Sequence, residues 1–377
     1  MDLFRKGLFW LHLAVGVALG VVILSMTLSG LTIVFERQIT AWAERGVRRV
    51  ENPAGAARLD IETLLAKVQE ARPEARVIQV VVYADPGAAA QISLPKNEIL
   101  FADPYTGNIT GSSNKALRGF VGFMTAWHQR LATTGKWRDF GEGATGAASL
   151  AFFFLVLSGF CLWIPRRWSW QAIKAVTMFD GKLKGKNRDW NWHNVIGFWC
   201  APVLLLVAST GAIMAYPWAN DLLFRVAGGE PPPRRKAETS AGGRKEASVP
   251  DKVELNRLWA VAEGQVPDWN FISHKLGPAS SPAVFVIDRG NGARPDLRAQ
   301  LTLSRETGAV EKWEPYESLS RGRQWRNWAR WLHTGEAGGW VGQTIAMLAA
   351  VGGAMLVWTG LAMSWRRFFG RKKAANG

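Results

Sequence analysis

The chain has 377 residues, of which 48% are hydrophobic, with 46 basic residues against 30 acidic and a formal charge of +16. That length admits several domains. Two cysteines exclude a disulfide framework or a thiolate metal cluster, and the basic residues flank apolar runs, which marks membrane topology rather than nucleic-acid binding.

Residues 7–35 contain no Lys, Arg, Asp or Glu. They exceed the ~20 apolar residues that cross a bilayer as a helix. The run is too long for a signal-peptide core and lacks a small-residue cleavage site, so it reads as a retained anchor. Residues 36–143 form a first external segment. Within it, residues 60–72 carry helical periodicity through Ile61, Leu64, Leu65 and Val68. Residues 77–82, 91–94 and 98–102 read as strands, followed by an Asp103-Pro104-Tyr105-Thr106-Gly107 turn. This segment is expected to be a small α+β domain.

Residues 144–165 form a second uncharged span, and 166–191 a short basic loop with Arg166, Arg167, Lys174, Lys182, Lys184, Lys186 and Arg188. The third span is 192–218. In the second external segment, 219–336, residues 228–250 are rich in Gly, Pro and charge and read as a flexible linker. Beyond them, 253–263 is a helix, 283–287 and 299–304 are strands, and Glu306-Thr307-Gly308 is a second turn. The fourth span is 337–365, and 366–377 is a basic tail. Cys161 and Cys200 fall inside apolar spans as packing residues. Many of the 20 Trp sit near span ends, as in an aromatic belt.

The N-terminus, the 166–191 loop and the tail hold 14 basic residues against Asp2, Asp180 and Asp189 alone. The other 27 acidic residues lie in the two large segments. Both termini are therefore expected in the cytoplasm of an inner-membrane protein, and the large segments in the periplasm.

The chain also reads twice. Trp10-Leu11-His12 and Asn191-Trp192-His193 each open a span. Leu28-Ser29-Gly30 recurs 181 residues later as Ser209-Thr210-Gly211, the offset from His12 to His193. Leu157-Ser158-Gly159 recurs as Trp358-Thr359-Gly360, and Trp163-Ile164-Pro165-Arg166-Arg167 as Met363-Ser364-Trp365-Arg366-Arg367. The expected architecture is a four-helix membrane protein in two parallel repeats, each half helix, external α+β domain, helix.

Four of the five histidines stand at span ends; His274 lies in a polar stretch. The topology puts His12 and His193 on the inner side and His128 and His333 on the outer. Two imidazoles at each leaflet suit axial ligation of haem iron, and bis-imidazole ligation leaves no open iron position, which favours electron transfer over oxygen binding. Imidazole also binds Zn, Cu and Ni, although no Cys or carboxylate supports the clusters. Gly16 and Gly20 follow His12, and Gly197 and Ala201 follow His193, at i+4 and i+8. Such small residues admit either a flat macrocycle or a neighbouring helix. Arg321, Arg323, Arg326 and Arg330 alternate with Trp325, Trp328 and Trp331 before His333, while Arg130, Lys136, Trp137 and Arg138 follow His128. Arg330 and Arg130 are candidate partners for haem propionates, and the same stretches also suit an interfacial amphipathic segment. No GxGxxG fingerprint for NAD(P)H or flavin is present.

Together Trp10-Leu11-His12, Asp103-Pro104-Tyr105-Thr106-Gly107, Trp127-His128-Gln129-Arg130, Trp192-His193-Asn194 and Leu332-His333-Thr334-Gly335 carry a resemblance over nearly the whole chain. The chain resembles the PepSY-associated transmembrane proteins, and among them the FoxB-type inner-membrane siderophore reductases. The resemblance implies four membrane helices, two periplasmic PepSY-like domains, b-type haem and reduction of ferric siderophores; the two histidine pairs lead us to expect two haems per chain. The electron donor, cytoplasmic or a quinol, is not implied. The second external segment departs from the pattern, with Ser304-Arg305-Glu306 where the first has Asp-Pro-Tyr. Two rivals remain at this stage: a membrane-anchored PepSY sensor or peptidase regulator without redox activity, and a quinone-linked cytochrome with a non-iron acceptor.

Overall fold

A computed structural model describes residues 3–52, 55–165, 168–233, 254–278 and 281–370. Arg166, Arg167, Arg371, Lys372, Lys373 and most of the 228–250 linker lie outside the described residues. In chain order the elements are α1 (Leu3–Ile33), α2 (Glu36–Ala43), α3 (Arg45–Arg48), α4 (Ile61–Ala71), β1 (Gln79–Tyr83), β2 (Ala90–Ser93), β3 (Ile99–Ala102), β4 (Ile109–Ser112) and α5 (Lys115–Arg130). Then follow α6 (Arg138–Trp163), α7 (Trp170–Thr177), α8 (Gly185–Ala215), α9 (Pro217–Val226), α10 (Leu255–Gln265), β5 (Phe271–Lys275), β6 (Ala283–Asp288), β7 (Arg298–Leu303), β8 (Val310–Glu314), α11 (Arg321–His333) and α12 (Gly339–Phe369). They divide into two units, and α5 and α11 carry the chain from one to the other.

The first unit is a bundle of α1, α6, α8 and α12, each long and apolar enough to cross a membrane. Contacts run α1–α6–α8–α12 and back to α1, so α1 and α8 face each other across the interior. The helices extend past the uncharged runs. α8 begins at Gly185, so His193 lies two turns inside the helix rather than at its opening. Its charged first turns are accommodated by ion pairing: buried Asp189 takes Arg188 at 2.8 Å and also Arg366. At this end Arg5 donates to Leu162 O and Ile164 O, both at 2.8 Å, and the Arg367 guanidinium lies over the rings of Phe9 and Trp10. At the opposite end Gln343 donates to Val34 O at 2.6 Å, and Phe35 stacks on Trp340.

The second unit contains one antiparallel sheet of eight strands in the order β4-β3-β2-β1-β5-β6-β7-β8. The two external segments were expected as separate domains. Their sheets instead join where β1 pairs with β5, from Gln79 opposite Lys275 to Tyr83 opposite Phe271. The join removes the β1 and β5 edges that two free sheets would expose. β4, β5 and β8 had no strong sequence signal. β4 and β8 are outer strands, and β5 carries Ser273 and His274, both buried. His274 is satisfied inside: its ring stacks on Phe285, its Nδ1 donates to Val284 O at 2.9 Å, and Arg305 lies 3.3 Å from its Nε2. Arg305 is one of the three residues that depart from the first segment's turn, and it makes this contact.

One face of the sheet is covered by two helices. Ile61, Leu64 and Val68 of α4 and Leu258, Trp259 and Ala262 of α10 pack with Val80, Ile92, Leu100, Ile272, Phe285, Ile287, Leu301 and Leu303. α4 starts where Asp60 caps Thr63 N at 2.8 Å. The two turns are built alike. Asp103 accepts from Tyr105 N and Thr106 Oγ1 at 2.8 Å each, and Ser304 Oγ from Glu306 N and Thr307 N at 3.3 Å each. Gly107 and Gly308 close them at φ of 79° and 73°, where a side chain would be strained.

Glu44, with its side chain 1% exposed, anchors this unit's Arg48 and Arg118. Burial alone would raise its pKa. Hydrogen bonds from Arg118, Arg48 and Asn114 N overrule that and hold it below the ordinary carboxylate range. A depressed folded-state pKa stabilises above the unfolded value, and that stability is lost as pH falls through the folded value. Glu44→Gln is therefore expected to destabilise the sheet unit by about 3 kcal/mol at neutral pH. It should also flatten the acid limb of its thermal-melting profile; an unchanged profile below about pH 4 would contradict this role for Glu44.

Candidate functional site

All four span-end histidines lie in the bundle unit, in two facing pairs. His12 on α1 and His193 on α8 have ring centres 6.5 Å apart with an interplanar angle of 85°. His128 at the end of α5 and His333 at the end of α11 have ring centres 6.1 Å apart at 65°. The rings that face each other are the two placed on the same side by the sequence reading.

Each ring is held the same way. His12 Nδ1 lies 2.8 Å from Ser158 Oγ, and His193 Nδ1 lies 2.9 Å from Thr359 Oγ1. His128 Nδ1 lies 2.8 Å from Met26 O and 3.4 Å from Ser29 Oγ. His333 Nδ1 lies 2.9 Å from Val207 O and 3.1 Å from Thr210 Oγ1. A carbonyl only accepts, so Nδ1 carries the proton in His128 and His333. The hydroxyls of Ser158 and Thr359 donate to Phe154 O and Met355 O, each at 2.7 Å. They therefore accept from His12 and His193. All four rings are the Nδ1–H tautomer, and Nε2 keeps its lone pair for a ligand.

The residue after each hydroxyl is glycine; at the outer pair it gives room to a ring that a Cβ would crowd, and at the inner pair a Cβ would sit in ordinary contact with the ring. A Cβ on Gly30 would stand 3.2 Å from His128 Cε1, on Gly211 3.3 Å from His333 Cε1, on Gly159 3.4 Å from His12 Cε1 and on Gly360 3.5 Å from His193 Cε1. Four Ser/Thr-Gly dipeptides thus form four imidazole cradles. In the sequence they stood out only as a repeat. The signal was their spacing: Met26 and Ser29 lie 14 and 17 residues after His12, as Val207 and Thr210 do after His193. At 1.5 Å per residue, 14 residues set the two sites about 21 Å apart along the helix axis.

The spacing of each pair fits two imidazoles on one metal: two bonds of about 2.0 Å plus half of each ring put the ring centres about 6 Å apart. An edge-to-face aromatic contact has similar spacing but asks nothing of Nδ1, whereas here all four Nδ1 groups are fixed. Among the described residues no group of three or more His, Cys, Asp or Glu side chains could hold a bare ion. Two facing imidazoles without a third donor suit a metal whose remaining positions are filled by a macrocycle, so the donor set fits haem.

Other candidate residues resolve differently. Gly16, Gly20 and Gly197 meet Leu155, Val357 with Leu361, and Leu356, so they serve helix packing. Arg130 Nε donates to Thr133 O at 3.2 Å, and Arg330 lies 3.8 Å from Glu36 and over Trp331. Trp127, next to His128, donates to Ser25 Oγ at 2.7 Å and holds the end of α5 against α1. Cys161 is exposed and Cys200 half-buried, and neither is disulfide-bonded.

Residues 9–367 match the model of the PepSY-associated TM region. The chain belongs to the PepSY-associated transmembrane family. The match spans both units, from the helix that carries His12 to the end of α12. No curated protein matches the chain.

Proposed function

We propose that this PepSY-associated protein is a di-haem b-type oxidoreductase of the inner membrane, reducing ferric siderophores in the periplasm and releasing their iron. The reading is supported by one observation above all: two facing histidine pairs, each ring fixed through Nδ1 with Nε2 left for a metal. Haem b, when bound, supplies a one-electron couple.

His12 and His193 would hold one group and His128 and His333 the other, each as a pair of axial ligands. The Ser/Thr-Gly cradles fix ring orientation and tautomer. Their separation of about 21 Å along the axis covers most of a ~30 Å hydrocarbon layer, which is wide for a single group. With both histidines of a pair engaged, a bound haem would have no position left for oxygen. Arg5, Arg188, Arg366 and Arg367 gather at the His12/His193 end, which supports a cytoplasmic location for that end and both termini. The sheet unit is then periplasmic. One electron from a cytoplasmic reductant or a quinol converts one Fe(III) to Fe(II), which hard oxygen ligands hold less tightly. Arg130 and Arg330 stand within a few residues of the outer pair as candidate propionate partners.

The test is anaerobic mixing of dithionite-reduced protein with a panel of ferric siderophores. Reoxidation of the haem spectrum with formation of Fe(II) is expected for at least one of them. Spectra unchanged across the panel would turn the reading to a different periplasmic acceptor.

A further inference from the structure

We infer that the electron donor is a membrane quinol, bound in a lipid-facing cavity beside the cradle of His193. The inference deepens the di-haem reading and rests on it. A cavity of about 350 Å³ lies in the bundle unit, walled by α12 together with α1 and α8. Its size falls in the range of small-molecule sites, ~300–1,000 Å³. Leu28, Val351 and Trp358 of its wall are exposed, so it opens toward the lipid. A molecule dissolved in the bilayer reaches it by lateral diffusion.

The wall changes character with depth. Leu24, Leu28 and Leu31 of α1 share one helix face and offer only hydrocarbon. Arg188, Asp189 and Trp192 of α8 supply the polar end, with Trp358 and Thr359 of α12. An occupant with a polar ring and a hydrocarbon tail matches this order. A carboxylate accepts from the O–H of a quinol, and a guanidinium donates to the carbonyl of the quinone. Arg188 and Asp189 are 2.8 Å apart and present both functions side by side, so one ion pair serves both redox forms. Trp192 and Trp358 offer indole faces to the ring. A phospholipid phosphate would meet the Asp189 carboxylate beside the cation, which disfavours it.

The position ties this cavity to the redox reading. Thr359 Oγ1 accepts from His193 Nδ1 at 2.9 Å, and Trp192 directly precedes His193, so the cavity wall and the histidine cradle share a residue. Oxidation of one quinol breaks two O–H bonds, releases two protons to cytoplasmic water and gives up two electrons. Those electrons convert two Fe(III) of the substrate to Fe(II), so one quinol serves two ferric complexes.

The experiment uses the full chain in phosphatidylcholine nanodiscs. Photolabelling with an azido-ubiquinone analogue and peptide mapping reads occupancy without activity. Label is expected within 188–192 and 351–359, and decylubiquinol is expected to compete it away. Label confined to other segments overturns the inference, and so does competition by phosphatidylglycerol but not by decylubiquinol, which marks a phospholipid site. Decylubiquinol mixed anaerobically with the oxidised chain is expected to reduce its haem. Ala354→Phe fills the cavity and Arg188→Gln removes the guanidinium; each should slow that reduction by about tenfold or more. Haem content and the dithionite-reduced spectrum should stay unchanged. Unmoved rates in these variants overturn the inference and leave the di-haem reading intact. Ala354→Phe touches no ion pair and decides alone if Arg188→Gln fails to fold. A wild type without haem overturns the di-haem reading, while the photolabel still decides the binding site.

Discussion

Replacing His12 or His193 by alanine is expected to leave one haem per chain where the proposed function calls for two, and so is replacing His128 or His333. In the proposed reading each group would be held by two histidines from two different helices, so losing one would remove half of its attachment. Even changes in the hydrogen-bonded surroundings of a metal ligand cost about 10–100-fold in affinity, and a lost ligand costs at least as much. The untouched pair keeps its group, because sites about 21 Å apart with no shared partner respond independently. The combinations carry the sharper prediction. His12→Ala with His193→Ala still retains one equivalent, since both changes fall on one site. His12→Ala with His128→Ala retains none. Haem extraction and quantification per chain reads the outcome directly. One equivalent surviving in the second combination would show that the histidines pair differently, or that another residue ligates.

Gly30→Val and Gly211→Val are expected to weaken haem binding at the proposed outer site without replacing either histidine. A Cβ at either position already stands 3.2–3.3 Å from the facing Cε1, tighter than ordinary contact, and valine adds two methyls to that Cβ. The imidazole must then leave Met26 O or Val207 O, and with that bond goes the tautomer and aim of Nε2. Valine is tolerated in an apolar helix, so the bundle itself should persist. Outer-site haem is expected to fall by about tenfold or more while the inner equivalent remains. Gly20→Val is the contrast, because its Cβ meets Val357 and Leu361 instead of a histidine. It should loosen the α1–α12 contact and lower thermal stability while leaving both equivalents in the folded fraction. If Gly30→Val retained two haems, the cradle reading of these dipeptides would be wrong.

The four spans and the four histidines could be read from the sequence because each rests on a local signal. A run without charge has few alternatives to a membrane helix, and a histidine at its end is conspicuous. Pairing across the bundle also followed, since charge asymmetry sorts the histidines by side. The partners of those histidines did not. Ser158 is 146 residues from His12 and Thr359 is 166 from His193, and nothing local ties a hydroxyl to a ring that far away. Ser/Thr-Gly dipeptides in membrane helices suit close helix packing equally well, so their role emerges only once the rings are seen against them. The single eight-stranded sheet was hidden for a related reason. β5 holds Ser273, His274 and Lys275, and two of these polar residues are buried by contacts that come from β6 and from Arg305. Periodicity sees a polar stretch there, while tertiary pairing makes it the centre of the sheet.

The most direct measurement is the haem content and spin state of the purified wild-type chain, by haem quantification together with electron paramagnetic resonance of the oxidised protein. The account predicts two b-type haems per chain, both low-spin and six-coordinate, as two imidazoles on each iron require. Protein produced with haem in excess that holds none, or that holds only a high-spin group with an open axial position, would contradict it.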